Sequence, residues 1–129
     1  MKALKPKELV LRIGFESASD EVRNKVLGKG IPNPEIERVA NFRKTLREGR
    51  VRFLGYVLFG MKGISERSVI ESVKRFNKIL NGVIAIKYRR YREGMPKEVA
   101  PSEKLLKFLR HNCLDVDMAD SPIWDLEMR

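Results

Sequence analysis

Apolar runs of two different periods alternate along this chain, and their order constrains the fold more than any other feature of the sequence. Three runs, 9–15, 51–60 and 83–89, are rich in β-branched or aromatic residues and lack helical spacing, which predicts buried strands. The segments between and after them carry apolar residues at i, i+3 and i+4, which predicts helices. Because these connections are too long for hairpins, we expect an α/β fold with parallel strands and right-handed crossovers.

Polar residues mark where four helices are predicted to begin. Each has a side chain that can accept a hydrogen bond from the backbone of the first turn: Ser19, Asn33, Ser65 and Ser102. The first helix has about two turns, and the second runs to about Glu48. The stretch from Cys113 to Arg129 shows neither period and is predicted to be irregular, with Trp124 packing it on the body. Three strands would leave two exposed sheet edges, so we expect something to complete the sheet.

Charge and cysteine content narrow the partners and the compartment. The chain has 27 Lys and Arg against 17 Asp and Glu, and a net charge of +10 favours phosphate-rich or acidic partners. Its single cysteine excludes a disulfide framework and any site built on several thiolates of one chain. With no apolar run long enough to span a membrane or serve as a secretion signal, we expect a cytoplasmic protein with no membrane partner. The lack of Gln and the single Thr lean toward a heat-adapted source.

Polar residues and glycines follow the predicted strands, where ligands of parallel α/β proteins gather. Residues 16–20 offer a carboxylate and hydroxyls that can bind a diol such as a ribose. Residues 60–65 offer glycines, which let backbone N–H groups approach a ligand closely. Together the two segments are suited to a nucleotide-like ligand, although Glu16 also fits a helix cap and the glycines also fit a simple turn.

Four pieces of sequence, in order, resemble the second half of a radical S-adenosylmethionine barrel. They are Ile-Gly-Phe-Glu-Ser-Ala-Ser-Asp-Glu-Val at 13–22, Lys-Gly at 29–30, Tyr-Val-Leu-Phe-Gly-Met-Lys-Gly at 56–63 and Gly-Met-Pro at 94–96. The likeness is to the subgroup of methylthiotransferases, elongator-type tRNA-modifying enzymes and cobalamin-dependent members, and covers about Leu9 to Pro96. It implies half of a TIM-like barrel over residues 1–98, with about three parallel strands, and a C-terminal helix and acidic tail over 99–129 packed on it.

The resemblance also implies a site for S-adenosylmethionine at the strand ends. Its ribose would fall on Glu16, Ser17 and Ser19, and its adenine and methionine moieties on Leu58, Gly60 and Met61. The chain departs from the family at Lys62, which replaces a proline, and it lacks the C-x-x-x-C-x-x-C loop that holds the family's [4Fe–4S] cluster. One cysteine cannot supply three thiolates. We therefore expect no catalysis by the chain alone, no catalytic or metal-binding residue, and a cluster only where a partner supplies the cysteines.

Three explanations account for the missing cysteines. The chain is a split or truncated reading frame, a subunit whose partner supplies the other half, or a degenerate half kept for binding. A homodimer in which two halves close each other's open edges is a further geometric possibility.

A run of cations and aromatic residues supports a different function, that of a non-catalytic RNA-binding or protein-interaction module. The run combines phosphate neutralisation with base stacking and consists of Lys87, Tyr88, Arg89, Arg90, Tyr91 and Arg92. Strand alternation would place its odd-numbered members on one face and its even-numbered members on the other. The same run also fits a strand end with solvated arginines, and both interpretations stay open at this point.

Overall fold

Four parallel strands form one sheet, and they lie in it in the order of the chain. The computed structural model describes residues 9–19, 21–27, 29–31, 33–45 and 51–118. Its strands are β1 (Leu9–Glu16), β2 (Val51–Phe59), β3 (Gly82–Lys87) and β4 (Asp115–Asp117). All three neighbouring pairs are parallel. The predicted α/β class with a parallel sheet and helices between its strands is confirmed.

Helical segments occupy each connection between the strands. A short π-helix, Glu21–Val26, and α1 (Asn33–Thr45) lie between β1 and β2, whereas α2 (Glu66–Ile79) and α3 (Glu103–Asn112) follow β2 and β3. The hydroxyls of Ser65 and Ser102 accept hydrogen bonds from the amides of Ser68 and Leu105, each at 3.1 Å. These two predicted N-caps are confirmed. None of the helices in the described ranges combines the length and apolar character that a membrane crossing requires.

The three α-helices pack side by side on one face of the sheet. Arg43 on α1 donates to the carbonyl of Ile79 on α2 at 2.8 Å, and Asn77 on α2 donates to the carbonyl of Asn112 on α3 at the same distance. Beneath them lies one apolar core, to which all three helices and the first three strands contribute: Phe15, Ile36, Phe53, Val57, Phe59, Val69, Val73, Phe76, Leu80, Val83, Ala85, Leu105 and Leu109.

Side chains on the opposite face of the sheet meet no helix within the described residues. Strand alternation directs them away from the core, and they are Val10 and Arg12 on β1, Arg52, Leu54, Tyr56 and Leu58 on β2, Ile84 and Ile86 on β3, and Asp115 and Asp117 on β4. We call this surface the helix-free face. Parallel sheets are normally covered on both faces, so a half-buried apolar face of this kind is unusual.

The structure corrects three sequence predictions. The first predicted helix, of about two turns, is instead a six-residue π-helical segment, in which the Arg23 side chain donates to the carbonyl of Ile31. The strand predicted over 83–89 ends at Lys87, although the amide of Tyr88 still donates to the carbonyl of Phe59 on β2 at 2.7 Å. The stretch from Cys113, predicted to be irregular, contains β4, whose Asp-rich sequence has low strand propensity and is ordered by pairing with β3. The predicted end of α1 at Glu48 and the tail with Trp124 lie outside the described residues.

Candidate ligand site at the strand ends

The carboxyl ends of β1 and β2 lie side by side. The register shifts between Ile13 and Glu16, after which the Cα of Glu16 pairs with that of Val57. Residues 16–19 are thereby placed beside residues 58–60 at one end of the sheet. The side chain of Glu16 lies outside the described part of the structure. The two segments that sequence reasoning assigned to a nucleotide-like ligand are therefore neighbours in the fold.

Ser17 is buried and its hydroxyl is engaged within the protein. Its Oγ lies 3.3 Å from the Oγ of Ser72 on α2 and accepts a hydrogen bond from the amide of Ser19 at 3.1 Å. The Ser72 hydroxyl in turn accepts from the amide of Ala18 at 2.9 Å. These contacts hold the turn after β1 against α2, so Ser17 shapes this segment from within, whereas Ser19 is half-buried.

Arg23 holds the same segment from the protein interior, a role that the sequence did not reveal. Its side chain is fully buried, and among the described residues it donates to the carbonyl of Ile31 at 2.5 Å, to the carbonyl of Ser17 at 3.2 Å and to the Asn33 side chain at 2.6 Å. The guanidinium thereby joins the end of β1 to the start of α1. No local pattern distinguished this arginine from the many exposed ones, because its burial depends on carbonyls up to ten residues away.

Residues 97–99 lie over the end of β2. Gly60 adopts φ +81°, and its carbonyl accepts from the amide of Val99 at 2.9 Å. Met61 is buried and pairs with Glu98 in an isolated antiparallel bridge, while the amide of Lys62 donates to the carbonyl of Lys97 at 2.9 Å. Leu58 is half-buried on the helix-free face. Of the three residues predicted at and just after the end of β2, Leu58 and Gly60 are therefore half-buried, and Met61 is buried.

Glu98 stabilises the loop after β3 through two hydrogen bonds. Its carboxylate accepts from the Lys87 ammonium at 2.9 Å and from the amide of Arg90 at 3.2 Å. The hydrogen bond from Lys87, followed by that from Arg90, lowers the pKa of Glu98 below its ordinary value. Tyr88 is buried beneath the same loop and donates through its hydroxyl to the carbonyl of Pro96 at 2.8 Å. Residues 87–99 thus form an ordered loop that is tied at several points.

The predicted run of cations and aromatic residues does not form two alternating faces. Alternation stops because β3 ends at Lys87, which makes the two-face prediction wrong. Tyr91 is 56% exposed, and the guanidinium carbon of Arg92 lies 5.8 Å from the centre of its ring. Lys62 and Lys97 join this surface through their backbone pairing, which sequence spacing could not reveal.

Cys113 and His111 lie away from these segments. Cys113 is half-buried after α3, and burial raises the pKa of its thiol to about 11, so the thiol is protonated at neutral pH. His111 is exposed in the last turn of α3. Within the described residues, no three His, Cys, Asp or Glu side chains cluster closely enough to hold a metal ion.

Comparison with known proteins does not assign this chain to a family. No protein-family model matches the chain, and neither the curated proteins nor the solved structures compared with it give a match. Function is therefore inferred from the strand ends and from the charged surface beside them.

Proposed function

We propose that this chain is the S-adenosylmethionine-binding half of a barrel of the radical S-adenosylmethionine type. The observation that carries the proposal is the pairing of Glu16 with Val57, which sets the segment expected to hold ribose beside the segment expected to pass the adenine. In parallel α/β proteins, ligands bind where such segments converge at the carboxyl ends of the strands.

The arrangement of helices supports a section of a barrel. The strands follow one another in chain order, and α1, α2 and α3 pack together on the same face. A doubly wound sheet would instead carry helices on both faces and reverse its strand order at a switch point. In a barrel, by contrast, every helix lies outside and the other face points inward.

Within this proposal, the six predicted ligand residues have two kinds of role. Glu16 and Ser19 are the candidates for the ribose hydroxyls, and Leu58 and the Gly60 backbone are the candidates for the adenine. Ser17 and Met61 are buried; the Ser17 hydroxyl accepts a hydrogen bond from the amide of Ser19, and Met61 follows Gly60 in the chain. A carboxylate is suited to a ribose because its two oxygens can accept hydrogen bonds from adjacent hydroxyls.

Radical cleavage of S-adenosylmethionine does not fit the residues of this chain. The family's cluster needs three thiolates, and the sequence contains one cysteine, whose half-buried thiol is protonated at neutral pH. The function proposed for the chain itself is therefore binding, and radical chemistry would require the cysteines of another chain.

Replacing Glu16 should weaken S-adenosylmethionine binding. Because hydrogen bonds to a charged group contribute about 1.5–3 kcal/mol, we expect Glu16→Ala to raise the Kd roughly 10-fold to 100-fold. Isothermal titration calorimetry with S-adenosylmethionine and with S-adenosylhomocysteine measures this change. Glu103→Ala is the matched control, since Glu103 is an exposed carboxylate in the first turn of α3, at the other edge of the sheet.

One result would contradict this proposal, and a second would contradict the role of Glu16 in it. If titration of the wild-type chain with up to millimolar S-adenosylmethionine shows no heat of binding, the proposed binding function is wrong. An unchanged affinity in Glu16→Ala, with wild-type binding intact, would remove Glu16 from the site and leave the rest of the proposal standing.

RNA binding is a second candidate, which the surface around Tyr91 favours. The fold brings Lys62 and Lys97 to the same loop as Arg90 and Arg92, beside an exposed aromatic ring. Cations that neutralise phosphates next to a ring that can stack on a base are the features of single-strand binding surfaces. The chain's net charge of +10 acts in the same direction.

Salt dependence tests this second function. If two phosphate contacts are lost, the slope of log K against log salt should decrease by roughly 0.7 for each, so Arg90→Ala combined with Arg92→Ala should flatten it measurably. Fluorescence anisotropy with a labelled single-stranded RNA gives the slope. The control pairs Arg38→Ala with Arg67→Ala, two exposed arginines on α1 and α2. If the wild type does not bind RNA, or if the control double variant lowers the slope as much as the Arg90 and Arg92 double variant does, this surface is not an RNA-binding site.

A further inference from the structure

The helix-free face has opposite charges on its two sides. Arg12 lies on β1 at one edge of the sheet, and Asp115 lies on β4 at the other edge; both side chains are exposed. Between them, β2 and β3 present mainly apolar side chains, namely Leu54, Leu58, Ile84 and Ile86, with Tyr56 in the middle of β2 and Arg52 near its amino end, on the basic side of the face. The face is therefore apolar in its centre, basic along one side and acidic along the other.

The side chain of Arg12 reaches the level of Asp115 along the strands, although its Cα lies two residues lower in the register, beside Leu54. The guanidinium of Arg12 donates to the hydroxyl of Tyr56 at 3.4 Å, which draws it toward the carboxyl end of the sheet. Tyr56 pairs with Ile84, and Ile84 pairs with Asp115. The cation and the carboxylate are thus at matching levels on opposite sides of one apolar surface.

We propose that a second copy of this chain covers the helix-free face, related to the first by a two-fold axis parallel to the strands. Such a rotation keeps height along the strands and exchanges the two sides of the sheet. It sets β1 of one protomer beside β4 of its partner, and Arg12 of each protomer beside Asp115 of the other. The inference rests on the sheet alone and does not depend on the ligand proposed above.

Charge selects this axis over the alternative one. A two-fold axis perpendicular to the strands would also bring the two faces together, but it would set β1 against β1 and β4 against β4, so that the basic sides of the two faces oppose each other and the acidic sides do likewise. Like charges opposed in an interface disfavour association by several kcal/mol. The parallel axis instead forms the opposite-charge pair twice, as a self-complementary interface requires.

The strand edges support the same assembly. In the described part of the sheet, β1 and β4 are the two edge strands, and β1 exposes Val10 and Leu11. An exposed apolar edge strand invites pairing with another chain. Joining β1 to the partner's β4 on both sides gives eight strands, the number at which side chains just fill the interior of a barrel.

This assembly has a chemical consequence. Two copies contain two cysteines, fewer than the three thiolates of the family's cluster loop. A dimer built in this way would complete the sheet around the strand ends without forming the cluster. It would bind its ligand without radical chemistry.

A charge exchange between Arg12 and Asp115 tests the geometry. Analytical ultracentrifugation of the full chain should show a particle of about 30 kDa, twice the 14.9 kDa of one chain. Arg12→Glu would place two carboxylates opposite each other at both of these contacts in the dimer, and Asp115→Arg would do the same with two guanidiniums. We therefore expect the dissociation constant of each variant dimer to rise at least ~100-fold. An equimolar mixture should recover dimers, because the heterodimer contains one exchanged pair and one native pair.

Native mass spectrometry identifies the recovered species by its intermediate mass, and circular dichroism checks that each variant is folded. Heterodimers in the mixture, with monomers in each variant alone, support the proposal. A wild-type chain that is monomeric at high micromolar concentration overturns it, as does a dimer that both single variants leave intact. A mixture of folded variants that stays monomeric overturns the Arg12–Asp115 pairing and with it the proposed axis.

Discussion

Arg23→Met should unfold at a much lower temperature than the wild type. The guanidinium is fully buried and donates to the carbonyls of Ser17 and Ile31 and to the Asn33 side chain. Methionine fills much of the volume but donates nothing, so buried acceptors lose their partners at about 1–3 kcal/mol each. We expect a loss of about 3 kcal/mol in the free energy of unfolding, or roughly 12 °C in Tm for a chain of this size.

Urea denaturation and differential scanning calorimetry measure this loss. Arg38→Met is the matched control, because Arg38 is exposed on α1 and forms only an i,i+3 pair with Glu35; its effect should stay below about 0.5 kcal/mol. Equal stability of the Arg23 and Arg38 variants would mean that the buried guanidinium does not anchor the segment after β1. Because Arg23 holds the carbonyl of Ser17, the same variant should also bind S-adenosylmethionine more weakly.

Gly55→Val should be the second most destabilising change. Gly55 lies in the middle of β2, where α2 packs closely: a Cβ at this position would lie 3.0 Å from the Cδ1 of Leu80 and 3.2 Å from the Cδ2 of Phe76. Phe76 is fully buried and cannot move away without disturbing the core. The three added carbons should therefore lower the free energy of unfolding by about 2–3 kcal/mol, as overpacking of a core does.

A double-mutant cycle separates this steric cause from a loss of backbone freedom. Gly55→Ala should have a smaller effect than Gly55→Val, and Phe76→Leu should cost less in the Gly55→Ala background than in the wild type, since the smaller side chain makes room for the new methyl group. Strictly additive effects of the two changes would show that the contact between Gly55 and Phe76 is not the reason.

The elements that local sequence defines well were predicted correctly. The apolar run of β2 and the amphipathic pattern of α2 are local patterns that predict a strand and a helix without knowledge of the tertiary structure. Likewise, Ser65 and Ser102 cap their helices through hydrogen bonds to residues only three positions away. Local information was therefore sufficient for the α/β class and for the parallel connections.

The features that the sequence did not reveal all depend on distant partners. β4 has three residues, Asp-Val-Asp, and exists because β3 offers it a free edge. Arg23 is buried only because the chain folds back over it, and Gly55 is a close contact only because α2 returns across β2. Each requires knowledge of which segments meet, which periodicity along one chain does not contain.

The sequence predicted that the two candidate segments are neighbours, but not which of their side chains are buried. That the ends of β1 and β2 meet follows from parallel pairing, whereas the burial of Ser17 follows from the position of Ser72, 55 residues later in the chain. The strand-end rule therefore finds the edge of the sheet where a ligand would bind. Which side chains face that ligand depends on tertiary packing.

The ion pair that fastens the loop after β3 also sets how that surface responds to acid. Glu98 has a lowered pKa in the folded chain, so its contribution is complete above the ordinary value of 4.5 and is lost only as the pH falls through the lowered folded-state pKa. Between neutral and mildly acidic conditions the loop takes up no proton at this carboxylate. The contacts of Glu98 with the Lys87 ammonium and the Arg90 amide are therefore kept over this range, and a polyanion that binds the loop meets it held in the same way.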